Sequence, residues 1–260
     1  MNIGIVSLFP EMFRSISDYG VIGRATSQKI VNLEFLNPRD FADDKHKTVD
    51  DKPFGGGPGM LMKVEPLEKA CAAARDKLLL MSGLSSRTKV RTIYVSPQGK
   101  RFTQEKACEL AGCENLVFIA GRYEGLDERL IEMVVDEELS LGDYVLSGGE
   151  LPVMVMIDTI ARLLPDVLGN DDSKLKESFQ AGLLEGAQYT RPREIEGYGT
   201  KVPAVLLGGD HEQKRLWELR AGLIRTYQRR PDLLAARDFT KEERNLLAGY
   251  FSKHPHELDS

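Results

Sequence analysis

Residues 116–152 read LVFIAGRYEGLDERLIEMVVDEELSLGDYVLSGGELP. The apolar run 116–120 is short, carries β-branched and aromatic residues, and stops at Gly121-Arg122-Tyr123-Glu124-Gly125. That is how a buried strand reads where it breaks into a loop. A second run, 141–146, stops at Ser147-Gly148-Gly149-Glu150 and predicts another strand. Glycine carries no Cβ, so main-chain groups at such breaks can approach a ligand closely. Two strand ends that both open into glycine predict a pocket lined by backbone.

The flanking segments extend this into a fold. Residues 3–8 (IGIVSL) and 30–36 (IVNLEFL) have the composition of buried strands, the first closed by Phe9-Pro10 and the second by Asn37-Pro38. Residues 11–16 predict a helix, and so do 63–80, where Val64, Leu67, Cys71 and Ala74 fall on one face. Residues 41–60 are polar and glycine-rich and predict a long loop. Residues 81–89 (MSGLSSRTK) are expected to be an insertion before a strand at 91–96. Helices follow at 104–111, at 128–133, where Asp127 and Glu128 suit the N-terminus, and at 151–164, where Pro152 is acceptable in the first turn. Strands alternating with helices imply an α/β domain with a mostly parallel sheet. Residues 165–176 (PDVLGNDDSKLK) are turn-rich and predict a linker. Beyond it strand signals fade, and 211–230 and 241–251 predict amphipathic helices. The expected layout is an α/β domain at 1–164, a linker at 165–176 and a small helical domain at 177–260.

Composition excludes several classes. At 260 residues the chain can bury a core without staples. No apolar run approaches the roughly 20 residues that span a bilayer. The start, MNIGIVSLFPEMF, has no basic n-region and reads as the first strand of a cytosolic protein. Three cysteines without CxxC spacing argue against a disulfide framework or a zinc site. Four dispersed histidines form no metal cluster. A net charge of −5 argues against a whole-surface nucleic-acid binder but leaves room for local basic patches.

Three predicted strand ends converge: Ser96-Pro97-Gln98, residues 121–125 and residues 146–149. In open α/β sheets ligands sit outside the carboxyl ends of strands. The loop KPFGGGPGM at 52–60 lacks the Gly-Lys-Ser/Thr of a phosphate loop; it is either a bare-backbone platform or a tight turn. Most carboxylates nearby, Glu150 among them, are expected to be solvated or to cap helices. Arg162, among Ile160, Ala161, Leu163 and Leu164, reads by itself as an exposed helix residue. Within 212–230, Lys214, Arg215, Arg225 and Arg229 fall in one stripe of about 100°, with Leu216, Leu219, Leu223 and Tyr227 opposite as expected core. The stripe suits phosphate contact and equally a solvated surface.

Taken in order, these residues resemble one family closely: the bacterial tRNA (guanine-N1)-methyltransferases of the knotted SPOUT class. The likeness covers nearly the whole chain, through FPEMF at 9–13, HKTVDDKPFGGGPGM at 46–60, YVSPQG at 94–99, GRYEGLDERL at 121–130, SLGDYVLSGGELP at 140–152, ESFQAGLLEGAQYTRP at 177–192 and RRPDLL at 229–234. The resemblance implies an α/β fold whose mostly parallel sheet ends in a deep trefoil knot, followed by a small helical C-terminal domain. It implies a homodimer with the active site shared between subunits. It implies S-adenosylmethionine as cofactor, walled by Tyr94, Val95, Ser96, Pro97, Gln98, Gly121, Arg122, Tyr123, Glu124, Gly125, Leu141, Gly142, Asp143, Tyr144, Val145, Leu146, Gly148, Gly149 and Pro152. The implied target is N1 of the guanosine immediately 3′ of the anticodon in tRNA. The family's base, an aspartate before Ser-Phe, maps to Glu177, with Asp171 and Asp172 as neighbouring alternatives; its arginine maps to Arg162. Asp50 and Gly59 would lie near the target base and Ser178 near the catalytic centre. Lys214, Arg215, Arg225 and Arg229 would contact tRNA. The family also depends on magnesium, for which the sequence holds no dedicated cage. The rival readings are a SPOUT methyltransferase acting on another RNA and a non-catalytic RNA-binding protein.

Overall fold

The structure is a computed structural model and describes residues 1–83, 90–168, 177–235 and 237–254. The chain divides into two compact units, Met1–Gly169 and Asn170–Ser260. The 81–89 insertion beyond residue 83, residues 169–176 of the expected linker, and Asp171 and Asp172 lie outside the described residues.

The first unit is built on a five-stranded parallel sheet. In chain order its strands are β1 (Asn2–Val6), β2 (Asn32–Leu36), β3 (Arg91–Arg101), β4 (Asn115–Ala120) and β5 (Glu137–Ser140), and their order in space is β2-β1-β4-β3-β5. Strands of such a sheet are buried on both faces, which is why they read as continuous apolar runs. Along β4, Leu116, Phe118 and Ala120 belong to the core layer that holds Val153, Met156, Ile157 and Ile160 of helix Glu150–Ala161. Val117 and Ile119 belong to the opposite layer with Leu67, Ala70, Ala74 and Leu78 of helix Val64–Met81. In chain order the helices are α1 (Gly20–Ser27), α2 (Val64–Met81), α3 (Gln104–Ala111), α4 (Glu128–Val134) and α5 (Glu150–Ala161).

At the amino ends of the three adjacent strands β2, β1 and β4 a ladder of amides sets the register. Asn32 Nδ2 donates to Asn2 Oδ1 at 2.8 Å, Asn2 Nδ2 donates to Asn115 Oδ1 at 3.0 Å, and Ser82 Oγ donates to the same oxygen at 2.8 Å. Asn115→Ala removes that shared acceptor within the buried layer. We expect it to cost about 1–3 kcal/mol, read as a lower urea midpoint at unchanged slope; a midpoint within error of the parent would refute a register role for the ladder.

Four expectations need correction. The helix expected at 11–16 is a 3-10 turn, Pro10–Phe13, running into a single turn, Arg14–Ser17, and the eight-residue α1 follows with Ile22 and Ala25 buried. The loop at 41–60 contains a two-residue strand, Asp50–Asp51, antiparallel to Leu61–Met62. The strand expected at 91–96 continues to Arg101, because the ladder with β5 breaks after Val95 and resumes at Lys100. Residues 96–99 bulge out between those points. The strand expected at 141–146 lies earlier, at Glu137–Ser140. Ile93, Tyr94 and Val95 pair with Glu137, Glu138 and Leu139, so the sheet edge takes the acidic stretch. The apolar residues after it leave the sheet, and Val145 is 86% exposed.

The second unit carries α6 (His211–Arg229) and α7 (Lys241–Phe251), two short helices, Ala204–Leu207 and Pro231–Ala235, and a two-stranded ribbon, Glu194–Ile195 with Thr200–Lys201. Among its described residues the buried apolar ones are Leu223, Leu234 and Tyr250; Leu216, Leu219 and Tyr227, expected as core, are half-buried. A capping box between Thr240 and Glu243 starts α7, and Tyr227 meets Phe251 edge-on at 5.0 Å. No helix among the described residues is long and apolar enough to cross a membrane.

Candidate active site

The carboxyl edge of the sheet encloses a cavity of about 310 Å³. Four segments form it: residues 94–98 of β3 and its bulge, residues 121–126 after β4 with Glu128 and Ile131 of α4, residues 140–146 except Asp143, and Gly148, Gly149 and Pro152 at the start of α5. Every residue expected to wall the cofactor borders this cavity except Asp143, whose side chain is 94% exposed and lies 3.4 Å from Arg101. The expectation omitted Leu126, Glu128, Ile131 and Ser140. Ser140 had a signal, since a small hydroxyl between an edge strand and a glycine is turn chemistry. Its Oγ accepts from Gly142 N and donates to Gly142 O, both at 3.2 Å, and so shapes the wall.

Backbone closeness explains the glycines. Gly149 N donates to Gly121 O at 2.8 Å, and a Cβ at Gly149 would fall 2.8 Å from both Ala120 Cα and Gly121 N. A Cβ at Gly121 would fall 2.8 Å from the Tyr94 ring. Burial, and then the neighbouring Glu138, push the Tyr94 hydroxyl above its ordinary pKa, so it stays a neutral hydrogen-bonding group against the floor. Tyr123 holds a left-handed φ of 60°, a strain that accumulates at ligand clamps.

The 52–60 loop is fastened to this wall. Glu124 N donates to Met60 O at 3.0 Å, and Met62 N donates to Gly125 O at 2.9 Å. Gly59, with φ +90°, lies so close to Glu124 that a Cβ would come 2.4 Å from its Cγ. Asp50 pairs in register with Met62. Asp50 and Gly59 therefore stand one strand and one side chain from the cavity rim. Arg162 does not: it is the C-cap of α5, whose first turn touches the cavity.

In the second unit Ser178 Oγ accepts from Glu185 N at 3.0 Å, which closes the turn after Glu177. The turn is clamped onto α6. Leu184 N donates to Thr226 Oγ1 at 2.8 Å, and Arg225 donates to Glu185 O at 3.1 Å and to Gly186 O at 2.9 Å. Arg237 donates to Ala181 O. The expected basic stripe is thereby broken up. Arg225 is turned onto carbonyls that need a donor, Arg215 lies 2.7 Å from both Glu212 and Glu242, and Lys214 is half-buried, while Arg229 stays exposed.

The family model described as tRNA (Guanine-1)-methyltransferase TrmD matches residues 1–236. The chain belongs to this family. It is 53% identical to the tRNA (guanine-N(1)-)-methyltransferase of Chromohalobacter salexigens, over 97% of this chain and 93% of that one. It is 55% identical to the enzyme of the same name from a Pseudomonas aeruginosa strain, over 95% of each. With that of Tolumonas auensis it shares 52% identity over 96% of each. As a member of a methyltransferase family it uses S-adenosylmethionine as cofactor. The TrmD family relation gives the tight crossing at Gly149 a consequence. Gly149→Ala presses a methyl group into backbone that cannot yield, at about 1–3 kcal/mol. We expect a lower thermal midpoint together with weaker S-adenosylmethionine binding by calorimetry, and parental values for both would contradict the close crossing.

Proposed function

We propose that the chain transfers a methyl group from S-adenosylmethionine to N1 of the guanosine immediately 3′ of the anticodon in tRNA. The observation that carries this reading is the glycine-walled cavity at the carboxyl edge of the sheet in a chain matching the family over 1–236. The cavity fits the cofactor chemically: bare backbone at Gly121, Gly148 and Gly149 can meet its polar groups, while Leu126, Ile131, Leu141 and Leu146 cover its apolar parts. When bound, the cofactor supplies an electrophilic methyl carbon.

The chain's own residues do the rest. Guanine N1 carries a proton at neutral pH, so a positioned carboxylate has to remove it; we assign this to Glu177. Negative charge then builds on guanine O6, and a fixed cation stabilises it; we assign this to Arg162. Asp50 and Gly59 support the target base, and Ser178 holds the turn that bears Glu177. For tRNA contact we retain Arg229 and Lys214, and assign Arg215 and Arg225 to holding α6 and the 177–186 turn. Among the described residues no group of three or more His, Cys, Asp or Glu could hold a metal. A magnesium dependence carried by few protein ligands and water is testable as loss of turnover on chelation.

A homodimer, carried over with its shared sites from the family resemblance, is supported by α5. Leu151 and Val155, one turn apart on it, are 52% and 48% exposed, apolar side chains that suit a second copy. A parental sedimentation coefficient of a monomer at micromolar concentration would remove this. The trefoil knot is supported by the close approach of Gly149 to the end of β4, where Gly149 N donates to Gly121 O at 2.8 Å. An experimental trace of the first unit that straightens when its ends are pulled would contradict it. A tRNA substrate goes with a cytoplasmic location, which cell fractionation checks. The deciding assay for the function is methylation of tRNA transcripts carrying guanosine or adenosine at the target position, with the product nucleoside identified. Methyl transfer regardless of that base would exclude N1-guanine chemistry.

A further inference from the structure

Glu150 has no part in the chemistry above, and by sequence it passes for a helix-capping or solvated carboxylate. It is the one buried carboxylate among the described residues of the first unit, 1% exposed in the first turn of α5. Its Oε1 accepts from Ser7 Oγ at 2.9 Å, and its Oε2 lies 2.8 Å from Arg122 Nε. That approach is an ion pair rather than an aligned hydrogen bond, and neither atom has a hydrogen-bond partner among the described residues. Each charge is therefore balanced mainly by the other.

The pair ties together three segments that meet behind the cavity. Ser7 follows β1, and its Oγ also accepts from Phe9 N at 3.0 Å. The Arg122 guanidinium lies 4.5 Å from the centroid of the Phe9 ring and donates to Ser147 O at 3.1 Å. A Cβ at Gly148 would come 2.4 Å from Arg122 Nε, so glycine there lets the arginine lie against the turn. Two of these segments, through residues 121–125 and 148–149, border the cavity.

We propose that Glu150 is a positioning residue for the methyl donor: through Arg122 and Ser7 it holds the two glycine loops at the spacing that binds S-adenosylmethionine. The proposal rests on the assignment of this cavity to the cofactor. A buried pair that loses one partner leaves an uncompensated charge, and Arg122 then seeks water by pulling its loop away. Glu150→Gln keeps the shape and removes the charge.

The expected result is a KM for S-adenosylmethionine raised about tenfold or more, the size of losing a hydrogen bond to a charged group, with kcat at saturating cofactor and KM for tRNA close to parental. Calorimetric Kd should move by the same factor. Ser7→Ala should shift both in the same direction by less, and it carries the test if Glu150→Gln does not fold. Leu141→Trp fills the cavity from a wall outside this network. If Leu141→Trp weakens cofactor binding while Glu150→Gln and Ser7→Ala do not, the positioning role is wrong and the cavity assignment stands. If Leu141→Trp leaves binding unchanged, the cavity assignment itself fails. A Glu150→Gln enzyme that loses kcat with KM and Kd unchanged also overturns the proposal.

Discussion

Glu177→Gln is expected to slow methyl transfer by roughly 10²- to 10⁴-fold, the contribution of a positioned general base, while calorimetric affinity for S-adenosylmethionine stays close to parental. The amide has the size of the carboxylate and can occupy the same space, but it cannot take the N1 proton of guanine. The loss should therefore appear in single-turnover rates at saturating cofactor and tRNA. Two features make the substitution clean. Ser178 and Glu185 close the turn next to Glu177, and Arg225, Thr226 and Arg237 hold that turn from outside, so the amide has no reason to unfold it. Glu177→Asp supplies the control, since it keeps the charge one methylene shorter and should retain part of the rate. A single-turnover rate for Glu177→Gln equal to the parent's would move the base elsewhere along the chain.

What sequence made legible follows from the range over which each signal acts. The run 116–120 is buried on both faces of a parallel sheet, so its apolar character alone marks it as a strand, and the structure extends it by one residue to Asn115–Ala120. The run 141–146, apolar apart from Gly142 and Asp143, lies outside the sheet, because the ladder to β3 is taken up by Glu137–Ser140. Nothing local distinguishes apolar residues that face a cavity or a partner from those that face a core. The glycines were readable as a site because their demand is short-range: backbone comes within 2.8 Å at Gly149, and only glycine permits it. Glu150 was unreadable for the opposite reason. Its partners Ser7 and Arg122 come from distant stretches, and a carboxylate in a first helical turn is ordinarily solvated. The basic stripe on α6 misled similarly. Helical periodicity places Arg215 and Arg225 on one face, but carboxylates at 212 and 242 and carbonyls at 185 and 186 had already engaged them.

Arg162→Ala is expected to slow the chemical step by roughly 10²- to 10³-fold, as loss of an oxyanion donor does, with cofactor affinity unchanged. The geometry of α5 adds a sharper expectation. The helix has 12 residues between the cavity wall at Gly149 and Arg162, and at about 1.5 Å per residue its ends stand about 18 Å apart. An arginine that far along cannot reach a methyl donor held by the first turn of its own helix. If it acts in the reaction, it acts on the cavity of another copy. Co-refolding Arg162→Ala chains with Leu141→Trp chains tests this directly. Each variant alone is inactive, the first for want of the cation and the second for want of the donor. In a mixed dimer, the open cavity of the Arg162→Ala subunit meets the intact Arg162 of its companion, so one site of two works. Random pairing should then restore about a quarter of parental activity. An arginine serving its own subunit gives no working site in any pairing, so a mixture as inactive as its components would refute the shared site.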